Sequence, residues 1–288
     1  MSKIAIVADS NSGYTQEEAN AAGIYLIPMP FYIDEKEYFE GVNLTQQEFF
    51  EYLNKDANVS TSQPSPGSML PLWDELLKTH EEVIYFPMSS GLSGTCQTAT
   101  MLAQDYDGKV LVVDNQRISA PLKHSIMDAC TMAKMGRTAS EIKEYLEKTK
   151  MDSAVYITVD TLKYLKKGGR VTPAAAALGT LLKIKPVLQI RGEKLDSYGK
   201  ARTMNQAKKM MIDALKKDVE DVFDGNAQEV HFDIAHTQNL KEAMAVKTMI
   251  EESFPGCQVS IVDSLSLSIA CHIGEGAVGV AWTRKLIV

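Results

Sequence analysis

Residues 83–104 read Val83-Ile-Tyr-Phe-Pro-Met-Ser-Ser-Gly-Leu-Ser-Gly-Thr-Cys-Gln-Thr-Ala-Thr-Met-Leu-Ala-Gln104. The opening apolar run is too short for a helix and stops at a proline, so it reads as a buried strand. Serines and glycines follow, and a helical pattern starts at Thr95. A strand, a hydroxyl-rich loop and a helix in that order are one unit of an α/β sheet. In such sheets ligands collect outside the carboxyl ends of the strands, where helix N-termini point free N–H groups at them.

The same alternation extends in both directions. Ile4–Ala8, Val110–Val113, Val155–Val159, Val187–Ile190, Val230–Ile234 and Val259–Val262 are predicted strands, short and rich in Val and Ile. Helical patterns lie between them at Gln16–Ala22, Thr45–Leu53, Ser68–Leu77, Leu122–Lys134, Ala139–Thr149, Met204–Phe223 and Leu240–Glu252. Continuously apolar strands between helices imply parallel sheets covered on both faces. The expected fold is therefore α/β, as two α/β domains with mainly parallel sheets. A length of 288 residues suits two domains, and the division is placed at 1–160 and 161–288. Lys194–Thr203, polar and turn-rich, reads as a hairpin or a long loop.

Composition removes several function classes. Thirty basic against 37 acidic residues leave a net charge of −7, which disfavours nucleic-acid binding by phosphate neutralisation. No window is apolar for long enough to be a secretory leader or a membrane span, so neither nucleic acid nor stable membrane insertion is expected. Cys96, Cys130, Cys257 and Cys271 form no C-x-x-C pair, and the reading is a cytoplasmic chain with reduced thiols. His80, His124, His231 and His236 lack metal-ligand spacing. Neither a metal nor a cofactor is expected.

Three stretches carry hydroxyls or glycines where the alternation breaks. Ser60-Thr-Ser-Gln-Pro-Ser-Pro-Gly-Ser68 is barred from a sheet by its prolines; Ser65 or Ser68 can cap the next helix, which leaves Thr61 and Ser62 for a small polar ligand group. Ser89-Ser-Gly-Leu-Ser-Gly-Thr95 can wrap an anion with hydroxyls and amides, yet has no lysine after its glycines and so is not a Walker A loop. Ile269-Ala-Cys-His-Ile-Gly-Glu-Gly-Ala-Val-Gly279 places His272 before three glycines. Asp9 and Asp114, at strand ends, read as turn caps. Lys166, Lys167 and Arg170 form a basic run that reads as a solvated loop, or as a patch for a partner or a phosphate.

Taken together these segments resemble the DegV family of bacterial fatty-acid-binding proteins. The likeness rests on Asp9-Ser10, Thr61-Ser-Gln-Pro-Ser-Pro, Ser89-Ser-Gly-Leu-Ser-Gly-Thr, Val113-Asp-Asn, Leu165-Lys-Lys-Gly-Gly-Arg-Val, Lys185-Pro and His272-Ile-Gly-Glu-Gly-Ala, in family order over nearly the whole chain. The resemblance implies a two-domain fold holding a long-chain fatty acid in an apolar tunnel. The N-terminal domain would carry the carboxylate-binding loops, and the C-terminal domain would contribute to the tunnel and the domain interface. Carried over by position, Thr61 and Ser93 bind the carboxylate, with Ser62, the Gly94 amide and His272 as neighbours. No residue is then catalytic: the protein presents its acyl carboxylate to a separate fatty acid kinase catalytic subunit, for acyl-phosphate formation in lipid metabolism. Lys166, Lys167, Arg170 and Arg202 are the residues that would face this partner or its phosphate.

Two departures from the family pattern stand out: Glu275 takes the place of a proline, and Cys96 that of a commoner aromatic. The Glu275 carboxylate would either raise the pKa of His272 or face solvent. Burial of about fourteen methylenes at roughly 0.8 kcal/mol each gives a gross gain on the order of 11 kcal/mol, enough to bind a lipid without an arginine at its head group. Two other readings compete. Gly91-Leu-Ser-Gly-Thr95 is one residue away from a nucleophile elbow, so Ser93 with His272 as base could make a serine hydrolase or acyltransferase. The Ser90–Thr95 loop could also nest the phosphate of a sugar or nucleotide.

Overall fold

The computed structural model describes residues 3–178 and 184–287. Contacts divide the chain into two units, Met1–Met151 with Ser266–Ser268, and Asp152–Leu265 with Ile269–Val288.

The first unit runs β1 (Ile4–Asp9), α1 (Gln16–Ala22), β2 (Ile24–Ile27), β3 (Phe31–Ile33), β4 (Lys36–Tyr38), α2 (Gln46–Asn54), β5 (Val59–Thr61), α3 (Pro66–Leu76), β6 (Glu82–Phe86), α4 (Thr95–Ala103), β7 (Val110–Val112), α5 (Ser119–Lys134) and α6 (Ala139–Lys148). Strands β2-β1-β6-β7 form a parallel sheet in that order, with Val7 opposite Tyr85 and Tyr85 opposite Val112. β1 is buried along its whole length, as an inner parallel strand covered on both faces must be. Met69 and Trp73 of α3, and Cys96 and Ala99 of α4, pack on Val7, Tyr85 and Val112 to make one core layer. Thr15, Thr45 and Thr138 start α1, α2 and α6 through reciprocal capping boxes with Glu18, Glu48 and Glu141. A small antiparallel sheet, β4-β3-β5, sets Thr61 opposite Phe31. Phe31 stacks on Tyr38 and meets Phe49 of α2 edge-on.

The second unit runs β8 (Ser153–Thr158), α7 (Lys163–Gly168), α8 (Pro173–Leu178), β9 (Lys185–Ile190), β10 (Asp196–Ala201), α9 (Met204–Phe223), β11 (Val230–His236), α10 (Leu240–Ser253), β12 (Val259–Ser264), α11 (Leu267–Ile273) and β13 (Val278–Arg284). α11 has its first two residues grouped with the first unit. The sheet order is β10-β9-β8-β13-β11-β12. Met211, Leu215 and Val219, spaced four apart on α9, bury against Phe232 and Trp282 together with Val246 and Ile250 of α10.

The α/β class and the parallel first sheet agree with the sequence reading. The second sheet departs from the expected mainly parallel arrangement, because only β11 and β12 run parallel. One cause is the β9–β10 hairpin, antiparallel within itself and against β8; the other is β13, a strand that its glycines disguise in the sequence. It inserts antiparallel between β8 and β11. Lys194–Thr203 resolves as the hairpin strand β10. The strand Ser153–Thr158, which precedes the expected division at residue 160, pairs inside the second sheet.

Candidate functional site

In the first unit, the loop between β6 and α4 is held in shape by its own backbone. Ser89 is buried; its carbonyl accepts from the Leu92 and Ser93 amides, its Oγ accepts from the Gly91 amide, and its own N–H reaches the Arg117 carbonyl. Ser89 therefore builds the loop, while Ser93 is turned to its rim. The Ser93 hydroxyl lies 2.8 Å from that of Thr95 and accepts from the Thr95 amide at 3.2 Å. Ser93 is half-buried and Gly94 exposed, immediately before the first turn of α4. Burial pushes the neighbouring Cys96 thiol up to about 11, so it is not a nucleophile at neutral pH.

Thr61 ends β5 half-buried, and Ser62 beside it is exposed. The two loops meet through Gln63. Its Nε2 donates to the Thr98 hydroxyl at 3.0 Å, and that hydroxyl donates back to Gln63 Oε1 at 3.3 Å. A Cβ on Gly94 would stand 2.8 Å from the same Oε1. Residue type does not single out Gln63, because an amide beside a serine and a proline carries no signal until its partner on α4 is known.

A second buried polar group supports the loop from beneath. Asp9 is fully buried at the end of β1, where its carboxylate accepts from the Asn11 amide at 3.0 Å and the Met88 amide at 2.7 Å. It is the turn cap expected from its position, and it also anchors the residue that leads into Ser89. Burial pushes its carboxyl up to about 7. Asn11 is equally buried. Its Oδ1 accepts from the hydroxyls of Ser266 and Ser268, and its Nδ2 donates to the Met88 sulfur at 2.8 Å. Glu40 accepts the Leu267 amide at 2.7 Å, so the start of α11 is fastened twice. Sequence reasoning reaches neither Asn11 nor Glu40, since their partners lie more than 200 positions away.

His272 stands near the end of α11 in the second unit, with its ring against Gly168; a Cβ there would fall 2.2 Å from Nδ1 and 2.8 Å from Cε1. Arg170 Nη1 donates to the Gly168 carbonyl at 2.5 Å. The K-K-G-G-R and H-I-G-E-G segments thus form one constellation. Burial, and after it the Arg170 charge, push His272 down to about 4. Of the two effects considered for Glu275 the structure selects exposure: its side chain faces solvent and the imidazole pKa falls, not rises. Lys166, Lys167 and Arg202 are exposed, whereas Arg170 is half-buried beside the imidazole. Among the described residues no group of His, Cys, Asp and Glu could hold a metal ion, and no helix is long and apolar enough to cross a membrane.

The depressed His272 pKa fixes a sign. The unfolded imidazole protonates near pH 6.5 and the folded one near 4, so the unfolded state binds the extra proton between these values. Stability is at its full value above about pH 6.5 and falls as pH drops toward 4. The expected loss from this group at about pH 4.5 is on the order of 2–3 kcal/mol. Urea unfolding of wild type and His272→Gln at about pH 7 and pH 4.5 checks this: the variant loses less on acidification, and equal losses would refute it.

The parallel sheet with hydroxyl-rich loops at the carboxyl ends of its strands, joined in the chain to a second unit bearing a histidine–arginine constellation, defines a two-unit α/β protein. Its relatives give the family. The DegV family model, described as one of uncharacterised proteins, matches residues 3–285. A DegV domain-containing protein of Staphylococcus aureus is 32% identical over 285 residues, covering 99% of this chain and 100% of its own. One from Listeria monocytogenes is 31% identical over 286 residues, covering 98% and 99%. The solved structure described as fatty acid binding of a DegV family protein from Thermus thermophilus superposes with a TM-score of 0.88 at 28% identity, covering 98% of this chain and 99% of that one. DegV of Bacillus subtilis, described as a fatty acid binding protein, superposes at 0.85 with 28% identity and the same coverage. The chain belongs to the DegV family.

Proposed function

We propose that this protein binds a long-chain fatty acid, with the carboxylate on Thr61 and Ser93, assisted by Ser62, the Gly94 amide and His272, and the acyl chain in an apolar tunnel. The observation that carries the reading is the meeting of two hydroxyl-bearing loops through Gln63 at the start of α4, a junction made of amides and hydroxyls. Neutral donors of this kind suit a lipid carboxylate whose binding energy comes mainly from its tail. Whole-chain relatives described as fatty-acid-binding support the same ligand class.

By the same reading the protein is a carrier located in the cytoplasm, without a catalytic residue of its own, that offers a carboxylate oxygen to a partner kinase. The exposed Lys166, Lys167 and Arg202 are the side chains for that partner or its phosphate. Arg170 belongs to the same partner-facing group, although it is half-buried with its guanidinium on the Gly168 carbonyl. The hydrolase reading is weaker. The Ser93 hydroxyl is engaged by Thr95, and an imidazole with a pKa of about 4 is a poor general base at neutral pH.

The test is mass spectrometry of an organic extract of the protein purified without detergent, beside a Thr61→Ala, Ser93→Ala double variant. Wild type yields a stoichiometric fatty acid of defined length, and the variant loses nearly all of it. An extract that stays empty after incubation with mixed fatty acids overturns the reading. Thermal stabilisation by phosphorylated sugars or nucleotides alone would move it to a phosphate binder, and labelling of Ser93 by a fluorophosphonate to a hydrolase.

A further inference from the structure

The geometry points to Gln63 as the positioning residue of the head-group site: its amide sets the spacing between the Thr61-Ser62 hydroxyls and the first turn of α4, and the absence of a side chain at Gly94 is what admits it. The inference rests on the fatty-acid reading and adds to it a residue that touches no ligand.

Three observations support this. The Gln63 amide makes a two-way contact with one hydroxyl, donating to Thr98 Oγ1 and accepting from it, which fixes both ends of the amide. Thr98 lies one turn beyond Gly94, and its amide donates to the Gly94 carbonyl, so the clamped hydroxyl and the loop glycine belong to one rigid helical turn. The amide oxygen occupies the space a Cβ of residue 94 would need, at 2.8 Å. Gly94 has φ −72°, which any residue can adopt, so its backbone does not demand glycine. The demand comes from Gln63. Among the described residues, and leaving aside its chain neighbours and the backbone of its own helix, only the Gln63 amide lies within 4 Å of that Cβ position.

Among the described residues an alanine at 94 meets only the Gln63 amide, and its effect on the protein is to push that amide away. Gln63→Ala and Gly94→Ala must then act through the same displacement and fail to add. Since the clamp orders hydroxyls around a carboxylate, its loss weakens acids and spares a ligand of equal length that lacks the charge.

Displacement of a fluorescent fatty-acid probe from delipidated protein by palmitate and by hexadecanol tests both consequences. Gln63→Ala is expected to weaken palmitate about tenfold and hexadecanol less than about threefold. Gly94→Ala alone gives a similar loss of palmitate, and none further in the Gln63→Ala background. Equal losses for acid and alcohol, additive losses, or no loss at all overturn the assignment. A wild type that binds neither ligand overturns the fatty-acid reading instead. Hydrogen exchange on the ligand-free protein then judges the clamp separately. Either single variant must speed exchange in both 61–65 and 93–98, and unchanged exchange refutes the clamp.

Discussion

Asp218→Ala lowers the unfolding free energy of the second unit by about 3–5 kcal/mol. Asp218 is 5% exposed on α9, and its Oδ2 accepts from the Tyr156 hydroxyl and the Trp282 indole N–H, both at 2.6 Å, while Oδ1 takes a longer contact from Arg191 at 3.3 Å. Tyr156 and Trp282 are buried on β8 and β13. Alanine strands both donors in an apolar layer, where each costs roughly 1–3 kcal/mol without an acceptor. It also removes the contact through which Arg191, lying over the Trp282 ring, is held. Asp218→Asn keeps the shape and one acceptor oxygen, so its loss is about half as large. Urea unfolding followed by tryptophan fluorescence reads this directly, because Trp282 is one of two indoles in the chain. A loss below about 1 kcal/mol for the alanine variant would show that the carboxylate's own desolvation cancels its bonds.

Gly168→Val displaces the His272 ring. A Cβ at 168 falls inside the van der Waals radius of Nδ1, and the obstacle is a ring on a short helix, not the loose end of a flexible chain. Overpacking of this kind costs about 1–3 kcal/mol, and the larger effect is electrostatic. The imidazole is held at about 4 by burial, with Arg170 adding to it. A ring driven outward regains solvent and titrates nearer its ordinary 6.5, a rise of about two units. Proton NMR of the His272 ring in wild type and variant follows the change, and a titration unmoved by the substitution would show that the ring had room to give. If His272 serves the head group, fatty-acid affinity falls together with the shift.

Much of the architecture is legible locally. The long helices lie within two or three residues of the ends their patterns predict, and Met204–Phe223 agrees at both ends, because a twenty-residue amphipathic pattern with a Thr203 cap leaves little freedom. The Val- and Ile-rich runs all form strands. The short strands β2 to β5 give no comparable signal, since three or four residues hold too little periodicity to separate a strand from a loop. Helices α7, α8 and α11, six or seven residues long, escape a pattern search as well, whereas α1 is as short but is marked by its Thr15–Glu18 capping box and the glycine after it. β13 is disguised by Gly274 and Gly276, which precede it, and by Gly279 within the strand itself. Its β character comes from pairing with β8 and β11 on either side, which no local pattern encodes.

The candidate site divides along the same line. Thr61, Ser62, Ser93 and Gly94 can be chosen from residue type and from their place after a strand or before a helix, because hydroxyls and glycines at such points are defined by a few neighbours in sequence. Which hydroxyl builds the loop and which faces outward cannot be chosen that way: Ser89 and Ser93 are equivalent on paper, and only the folded loop buries the first. The Gln63 clamp spans 35 positions and the Asn11 fastening of α11 spans 257, with the Glu40 fastening and the packing of His272 on Gly168 between these extremes. Periodicity, capping and turn chemistry act over a few residues, so local order alone settles the α/β class and the places where the hydroxyl-rich loops begin. Burial and long-range partners exist only once the chain has folded, and they decide which strands pair, which polar side chains are buried and which stay at the surface, and at what pH they hold their protons.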